Sequence, residues 1–306
     1  MARRYVHGSM VAAAALCAGL FGAAGAATAH RNLLVLVDAR SGHVVSSFRL
    51  GAEPLRVSYG ARAFWVVAPG ARTIVRIDPR DPDLQRRKVG VEPFDVAARG
   101  GALWIADHDG NDVLRVDLRG RHTMTSADLR NPQLAIAYGL GAVWVVGADR
   151  ILRRLDPATL AVTGTVDDVA ASIEGYEPKI AVGRDALWIS DAVRCAVVRV
   201  DPVRLRVTAR VHRAGFGVAL SSDGVWSTDS FGLAERVAGG KVATVKTGRG
   251  AVDVAAGGGS IWVVNRFVGT IVRVDPRRRR VTKTIHVGGM PVAVAYGDGY
   301  VAAAVR

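Results

Sequence analysis

The chain has 306 residues, 50% of them hydrophobic, and a formal net charge of +14. This composition excludes the polar, apolar-poor class of disordered proteins, and the length allows one or two domains. Most of the 41 basic residues are arginines. We attribute that preference to coding bias, so the charge alone does not indicate an acidic partner.

The first segment of the chain, residues 1–29, differs from the rest. Arg3 and Arg4 precede an uncharged, alanine-rich run over residues 11–25, and Ala27-Thr28-Ala29 follows in the pattern of signal-peptidase sites. The run is short and weakly apolar for a membrane anchor, which is the alternative. We therefore expect a signal peptide that is removed, and a secreted or envelope-side protein that does not span the membrane. Both the general and the twin-arginine export routes remain open.

Cysteine usage limits the sources of stability. Cys195 is the one cysteine that follows the signal peptide, so the mature chain has no internal disulfide. We expect Cys195 to be a small, half-buried residue rather than a reactive thiol.

Internal repeats organise the remaining sequence. Tryptophans recur at intervals of 36 to 44 residues, and each of the first four and the last lies in a version of one unit. The tryptophans are Trp65, Trp104, Trp144, Trp188, Trp226 and Trp262, and Trp226 marks a degraded copy.

One repeat is divided between the two ends of the chain. Residues 291–306 match the opening of the unit, with Ala302 in the position of the tryptophan, and residues 33–51 align with the second half at 271–289. Six complete units and one divided unit make seven.

Each unit predicts four short strands, separated by Gly, Pro and Asp. Units of about 40 residues with four strands are typical of a β-propeller. We therefore predict an all-β fold, a single seven-bladed β-propeller over residues 30–306. Its ring is closed by N-terminal strands that pair with C-terminal strands in one blade.

The four consecutive arginines of "DPRRRRV" (275–281) fall in the turn between the third and fourth strands of a unit. The segment lacks the stacking aromatics of a nucleic-acid surface, so we expect a solvated turn and no nucleic-acid partner. The aspartates of the recurring R-x-D-P motif are expected to be framework residues, and they are Asp78, Asp117, Asp156, Asp201 and Asp275.

The unit "GTIVRVDPRRRRVTKTIHVGGMPVAVAYGDGYV" resembles the YVTN-type repeat, and the set resembles the seven-bladed propellers grouped with virginiamycin B lyase. The resemblance implies a catalytic histidine after the first-strand proline and metal-binding glutamates nearby, one of them four residues past the second-strand aromatic. The residues after the proline or its equivalent are Leu55, Phe94, Gln133, Lys179, Phe216, Val252 and Val292. The residues four past each tryptophan are Pro69, His108, Ala148, Ala192, Ser230 and Arg266. The fold therefore carries over, but the lyase residues do not.

The densest polar cluster is "ADHDGNDV" (106–113). Asp107, Asp109 and Asp112 offer oxygen ligands that would suit Ca²⁺ or Mg²⁺, although the spacing is not that of a standard calcium loop. The alternative is a polar hairpin whose Asp side chains bond to the backbone.

His108 is a candidate base if Glu92 or Asp95 lies nearby, and a solvated loop histidine is the alternative. Arg249 and Arg266 could hold an anionic ligand in the sixth blade, against ordinary surface charge.

The sequence supports two functional hypotheses, and a purely structural role at the cell envelope cannot be separated by sequence from the first. The first is an exported, monomeric binding or interaction module whose loop face contacts a small molecule or an envelope protein, through a set of charged residues. The set is Asp95, Asp107, Asp109, Arg249 and Arg266. The alternative is a metal-dependent lyase or lactone hydrolase that uses Mg²⁺ or Ca²⁺, with His108 and Glu92 as catalytic residues.

Overall fold

The computed structural model describes residues 32–81, 83–118, 123–125, 129–238 and 242–306, the third of these ranges by its backbone. The signal peptide expected over residues 1–29 lies outside this part of the chain. The described residues form seven four-stranded antiparallel sheets, and each sheet is one blade of a propeller.

The strands follow the repeats in chain order. The first two strands, β1 Leu33–Asp38 and β2 Val44–Arg49, belong to the last blade. Blades 1 to 3 comprise β3 Arg56–Gly60, β4 Ala63–Ala68, β5 Thr73–Ile77 and β6 Leu84–Lys88; β7 Pro93–Arg99, β8 Ala102–Asp107, β9 Asp112–Asp117 and β10 Thr123–Thr125; β11 Gln133–Gly139, β12 Ala142–Gly147, β13 Leu152–Leu155 and β14 Val162–Val166.

The remaining strands complete the ring. Blades 4 to 6 comprise β15 Ile180–Val182, β16 Leu187–Asp191, β17 Ala196–Asp201 and β18 Arg206–His212; β19 Val218–Ser221, β20 Gly224–Thr228, β21 Leu233–Ala238 and β22 Ala243–Lys246; β23 Ala251–Gly257, β24 Ser260–Asn265, β25 Thr270–Asp275 and β26 Arg280–His286. Blade 7 comprises β27 Pro291–Gly297 and β28 Tyr300–Val305 with β1 and β2.

Blade 7 confirms that one repeat is divided between the chain ends. Its strand order is β2-β1-β28-β27, and Leu34 lies opposite both Ala304 and Phe48. The pair Ile271 and Ile285 holds the same place in blade 6. The predicted alignment of the two half-repeats is therefore correct in register.

The recurring tryptophan and glycine have a common structural cause. In blades 1, 3 and 6 the tryptophan of the second strand donates its indole N–H to the carbonyl of a glycine that ends the first strand, as Trp65 does to Gly60 at 3.0 Å. The tryptophan thereby buries a large apolar surface while its polar atom keeps a partner. This bond explains why the two residue types recur together.

The R-x-D-P aspartates are framework residues, as predicted. Asp275 accepts hydrogen bonds from the backbone N–H groups of Arg277 and Arg278, both at 2.9 Å, and so holds the turn between β25 and β26. Asp156 and Asp201 bond in the same way in blades 3 and 4. The arginine-rich segment is an exposed turn.

Within the described ranges, no helix has the length and apolarity needed to cross a membrane. Cys195 is exposed rather than half-buried as expected, because it lies in the surface turn between β16 and β17, where its φ is 47°.

Candidate functional site

The loop face of the propeller carries the turns between second and third strands and the connections from one blade to the next. The longest connection between described strands joins β14 to β15 through residues 167–179. Arg56 of blade 1 donates hydrogen bonds from Nη2 to the carbonyls of Glu177 and Pro178, at 3.0 and 3.1 Å. The long connection is therefore fastened across the ring to a blade that is not its neighbour.

Arg56 is nearly buried, with 7% of its surface exposed. The Glu177 carboxylate lies 3.8 Å from the Nη2 of Arg56. The Nε of Arg56 has no hydrogen-bond partner among the described residues. Glu177 also accepts a hydrogen bond from the backbone N–H of Gly175 at 2.9 Å. A buried guanidinium with an unused donor is costly unless a further acceptor reaches it.

A cavity of about 30 Å³ opens at this point. Its walls come from blades 1, 6 and 7 and from the connections that enter blades 4 and 5. They are formed by Leu55, Arg56, Gly175, Tyr176, Glu177, Phe216, Val252, Arg266, Val292 and Arg306. The rings of Tyr176 and Phe216 meet edge to face at 4.9 Å.

Two further arginines line this cavity. Arg306 donates from Nε to the Pro54 carbonyl at 3.0 Å and pairs through Nη1 with the exposed Glu53 at 2.9 Å. Burial lowers the pKa of Arg306; Glu53 opposes this shift, and the nearby Arg266 adds to it. Arg266 forms no ion pair with any described residue. Positive charge is therefore incompletely neutralised in the cavity wall.

A second group of charges adjoins the cavity on the first strands. Lys179 of blade 4 contacts the Asp253 carboxylate of blade 6. Asp253 also accepts from the backbone N–H groups of Val254 (2.8 Å) and Val294 (2.9 Å), the latter in blade 7. Burial lowers the pKa of Lys179 to about 8, and Asp253 opposes that shift.

Asp95, a sequence-predicted ligand residue, has the same backbone bonds as Asp253. It accepts from Val96 at 2.9 Å and from Ile136 of the next blade at 3.0 Å. Burial raises the pKa of Asp95, against the opposing effect of Arg56. Both aspartates therefore fasten one blade to the next.

The structure brings Glu92, His108 and Asp109 together on blade 2, with a possible ligand atom from each within 4.8 Å of the others. His108 Nδ1 lies 2.8 Å from Asp109 and 3.1 Å from Glu92, and the ring stacks on Phe94 at 4.4 Å. His108 and Glu92 therefore lie together, which was the condition for His108 as a candidate base. Burial, followed by the charge of Asp109, raises the pKa of Glu92, while the bond to His108 lowers that of Asp109.

Asp107 is not a member of this cluster, because its carboxylate is a buried acceptor of backbone hydrogen bonds. It is 1% exposed and accepts from the backbone N–H groups of Val91 (2.7 Å), Glu92 (2.6 Å) and Gly110 (3.3 Å). Asp191, at the equivalent end of β16, is also buried and accepts from the backbone of Arg194 at 3.1 Å. The geometry matches the polar hairpin that was the alternative to a metal site. Asp112 lies opposite Asp107 in the β8–β9 pair.

Exposed apolar side chains lie on adjoining loops of this face, and we call four of them the apolar rim: Phe231, Phe267, Val268 and Met290. Their exposed fractions are 80%, 59%, 46% and 45%. The loops that carry them touch in succession, since Gly250 bonds to Ser230 and the ring of Phe267 lies against Gly250. Arg249 is exposed on the same face and does not line the cavity.

Sequence reasoning placed Arg266 on the loop face and singled out Lys179 as the residue after the proline equivalent, but it missed Arg56, Glu177 and Arg306. A signal for Arg56 was present. It stands two residues after the first-strand proline, the place that Asp95 and Asp253 hold in other units, and all three are charged in otherwise apolar strands.

No family model and no curated protein sequence matches this chain. Solved structures match it across most of its length. BamB from Moraxella catarrhalis aligns at 13% identity and a TM-score of 0.56, covering 89% of this chain and 91% of its own. The WD40 β-propeller domain of Doa1 aligns at 12% identity and a TM-score of 0.64, covering 82% of this chain and 92% of its own. Kuenenia stuttgartiensis hydrazine synthase aligns at 12% identity and a TM-score of 0.61, covering 79% of this chain and 89% of its own. At such identities the likeness concerns the fold alone, and this fold serves unrelated functions.

Proposed function

We propose that this protein is an exported interaction module that binds a protein partner through the loop face of its propeller. The observation that carries the proposal is the apolar rim, where two phenylalanines and two aliphatic side chains are exposed on adjoining loops. Contiguous apolar groups on a soluble surface mark interaction sites, whereas single exposed ones are ordinary. Exposed aromatic side chains are also frequent anchors of interfaces.

The size of the cavity favours a macromolecular partner over a small-molecule ligand. Its volume of about 30 Å³ accommodates roughly two water molecules. Pockets that bury a whole organic ligand have volumes of roughly 300 Å³ or more. A ligand at this face must therefore make most of its contacts on the surface around the cavity.

The test is capture of envelope proteins by cross-linking to three forms of the mature protein. They are the wild type, the rim variant Phe231→Ser/Phe267→Ser, and the control Val203→Ser. Val203 is 83% exposed in the turn between β17 and β18, away from the loop face. We expect a partner that wild type and control retain and the rim variant loses. Equal capture by all three forms would refute the proposed surface.

Export is the second part of the proposal, and it rests on the pattern of residues 1–29. We expect the protein in the extracytoplasmic fraction, with its N-terminus near His30. Recovery of the uncleaved chain from the cytoplasm would contradict this.

The metal-dependent lyase or lactonase is a second candidate because Glu92, His108 and Asp109 lie close together. The donor set fits a divalent cation only in part. His108 Nδ1 already lies between the two carboxylates, and Asp95 and Asp107 are engaged by backbone N–H groups. Calorimetric titration with Mg²⁺ and Ca²⁺ separates the candidates, since heat that His108→Ala and Asp109→Asn abolish would favour the metal site. No heat with the wild type would count against it.

A further inference from the structure

We infer that the cavity on the loop face binds a carboxylate, supplied by an acidic side chain of the partner whose flanking apolar residues pack on the apolar rim. This inference rests on the proposed function and specifies the chemistry of the partner at that same face.

The cavity wall contains three guanidinium side chains, those of Arg56, Arg266 and Arg306, and one carboxylate side chain, that of Glu177. Glu53 lies outside the wall and pairs with Arg306, so Arg266 is the guanidinium of the wall that no described carboxylate neutralises. The main-chain oxygen of Arg306 is engaged by the N–H of Met290 at 2.9 Å. Glu177 is shared with the Gly175 backbone. The side chains of the wall therefore attract an anion more than they repel it, and arginine suits carboxylates because it presents parallel donors.

Unused hydrogen-bonding capacity points to the same ligand. The Nε of Arg56 has no partner among the described residues although the side chain is nine-tenths buried. Arg266 forms no ion pair within the same part of the chain. The Arg56 Nε is shut off from solvent, whereas Arg266 is half-buried in the wall. An oxyanion that entered the cavity would therefore accept from Arg266 and bring negative charge to the Arg56 guanidinium, whose Nε–H lacks an acceptor.

The dimensions and lining of the cavity select a small anionic group. Space for roughly two waters equals the space for the two oxygens of a carboxylate. Leu55, Tyr176, Phe216 and Val252 complete the wall and limit access of solvent, which strengthens the attraction between charges of opposite sign.

The rim adjoins the cavity through covalent and hydrogen-bonded neighbours. Arg266 directly precedes Phe267, and Met290 exchanges two backbone hydrogen bonds with Arg306, at 2.9 and 3.0 Å. A side chain that inserts its carboxylate among the arginines therefore places the residues on either side of it against Phe267 and Met290. The expected recognition element is an Asp or Glu flanked by large apolar residues.

Acetate is the first probe. Its binding is measured in ¹⁵N spectra that resolve the Nε–H signal of Arg56. We expect a saturable shift of that signal with the wild type. The apparent Kd should rise about tenfold in Arg266→Gln, because a half-buried charge partner in the cavity wall is lost. Arg72→Gln is the matched control, since it removes the same charge from an exposed turn of the same face, between β4 and β5, outside the cavity, and it should leave the Kd unchanged. An unmoved Arg56 signal, or equal affinity in wild type and Arg266→Gln, overturns the inference.

The second arm tests the source of the carboxylate with the peptides acetyl-Phe-Asp-Leu-amide and acetyl-Phe-Asn-Leu-amide. We expect the Asp peptide to bind more tightly than acetate, the Asn peptide not to move the Arg56 signal, and Phe267→Ser to remove the advantage of the peptide. An Asp peptide no tighter than acetate would overturn the docking of a partner side chain and leave a site for free carboxylates.

The two arms also separate this inference from the proposed function. Capture that depends on the rim, combined with an unmoved Arg56 signal, overturns the carboxylate site alone. Acetate binding without rim-dependent capture overturns the proposed interaction module.

Discussion

Asp253 and Asp95 form a matched pair in which one aspartate has a lysine partner and the other does not. Each accepts two backbone N–H groups, one from its own strand and one from the next blade. Only Asp253 also contacts Lys179. Replacing each by Asn removes one acceptor oxygen in both cases, so the comparison isolates the direct contact with Lys179, which acts on Asp95 only at longer range.

The two substitutions should differ in cost. Asp253→Asn leaves Lys179 without its carboxylate in a mostly buried position, and breaking such a pair costs about 3–5 kcal/mol of the free energy of unfolding. Asp95→Asn loses a backbone bond, which costs about 1–3 kcal/mol. Part of that loss is offset, because burial raises the pKa of Asp95 and its ionised form is therefore disfavoured in the folded state.

The cost of Asp253→Asn should depend on pH. Burial lowers the pKa of Lys179 from 10.5 to about 8 in the folded protein. Between these two pH values the unfolded chain binds the proton and the folded protein does not, so Lys179 adds to the free energy of unfolding as pH rises from about 8 and removes that contribution as pH falls. Without Asp253 the folded-state pKa of Lys179 falls further, and the variant begins to gain stability at a lower pH than the wild type. The difference in free energy of unfolding between the wild type and Asp253→Asn should therefore shrink as pH approaches about 8 from below and then stay constant.

Urea denaturation followed by tryptophan fluorescence from pH 6 to about pH 9, across the folded-state pKa of Lys179, measures both effects. The deficit of Asp95→Asn should change less over the same range. Equal losses for the two variants, or a deficit of Asp253→Asn that is independent of pH, would refute the assignment of a charge pair between Lys179 and Asp253.

Three further predictions concern the framework. Asp107→Asn should lower the free energy of unfolding by about 1–3 kcal/mol, because buried backbone N–H groups lose an acceptor. Asp109 is exposed, so Asp109→Asn should leave the urea midpoint unchanged. Equal midpoints for the two variants would contradict the hairpin role of Asp107. Gly297→Ala should cost about 1–3 kcal/mol since its methyl group would overlap the ring of Tyr59, and Gly70→Ala, which meets open space, is the control; similar thermal midpoints would contradict this packing. Deletion of residues 300–306 should abolish cooperative unfolding because β1 and β27 lose β28, their shared neighbour, and a sharp transition in the truncated protein would show that the ring is stable when open.

The fold could be predicted from the sequence because a blade is a local structure. Tryptophan spacing, the R-x-D-P turns and the alternation of the outer strands all lie within about 40 residues of one another. The divided blade was also predictable, since the half-repeats at 33–51 and 291–306 complete each other.

The site was predicted only in part, because it is made of residues from separate blades. Periodicity places Arg266 and Lys179 on the loop face, but it does not show which side chains meet across the ring. That Arg56 reaches Glu177 depends on the path of residues 167–179, a connection longer than the corresponding ones between the other described blades. The density of acidic residues in 106–113 predicted a ligand site, but Asp107 is an acceptor of backbone hydrogen bonds.

Ring closure links folding to recognition in time. Blades 1 to 6 are each built from contiguous sequence and can form in order, whereas blade 7 joins residues separated by almost the whole chain, a contact that forms slowly. Arg306 and Val292 of that blade line the same cavity as Leu55 and Arg56 of blade 1. The carboxylate site therefore does not exist until the last strand has docked, so a partner that needs it would distinguish finished molecules from unfinished ones.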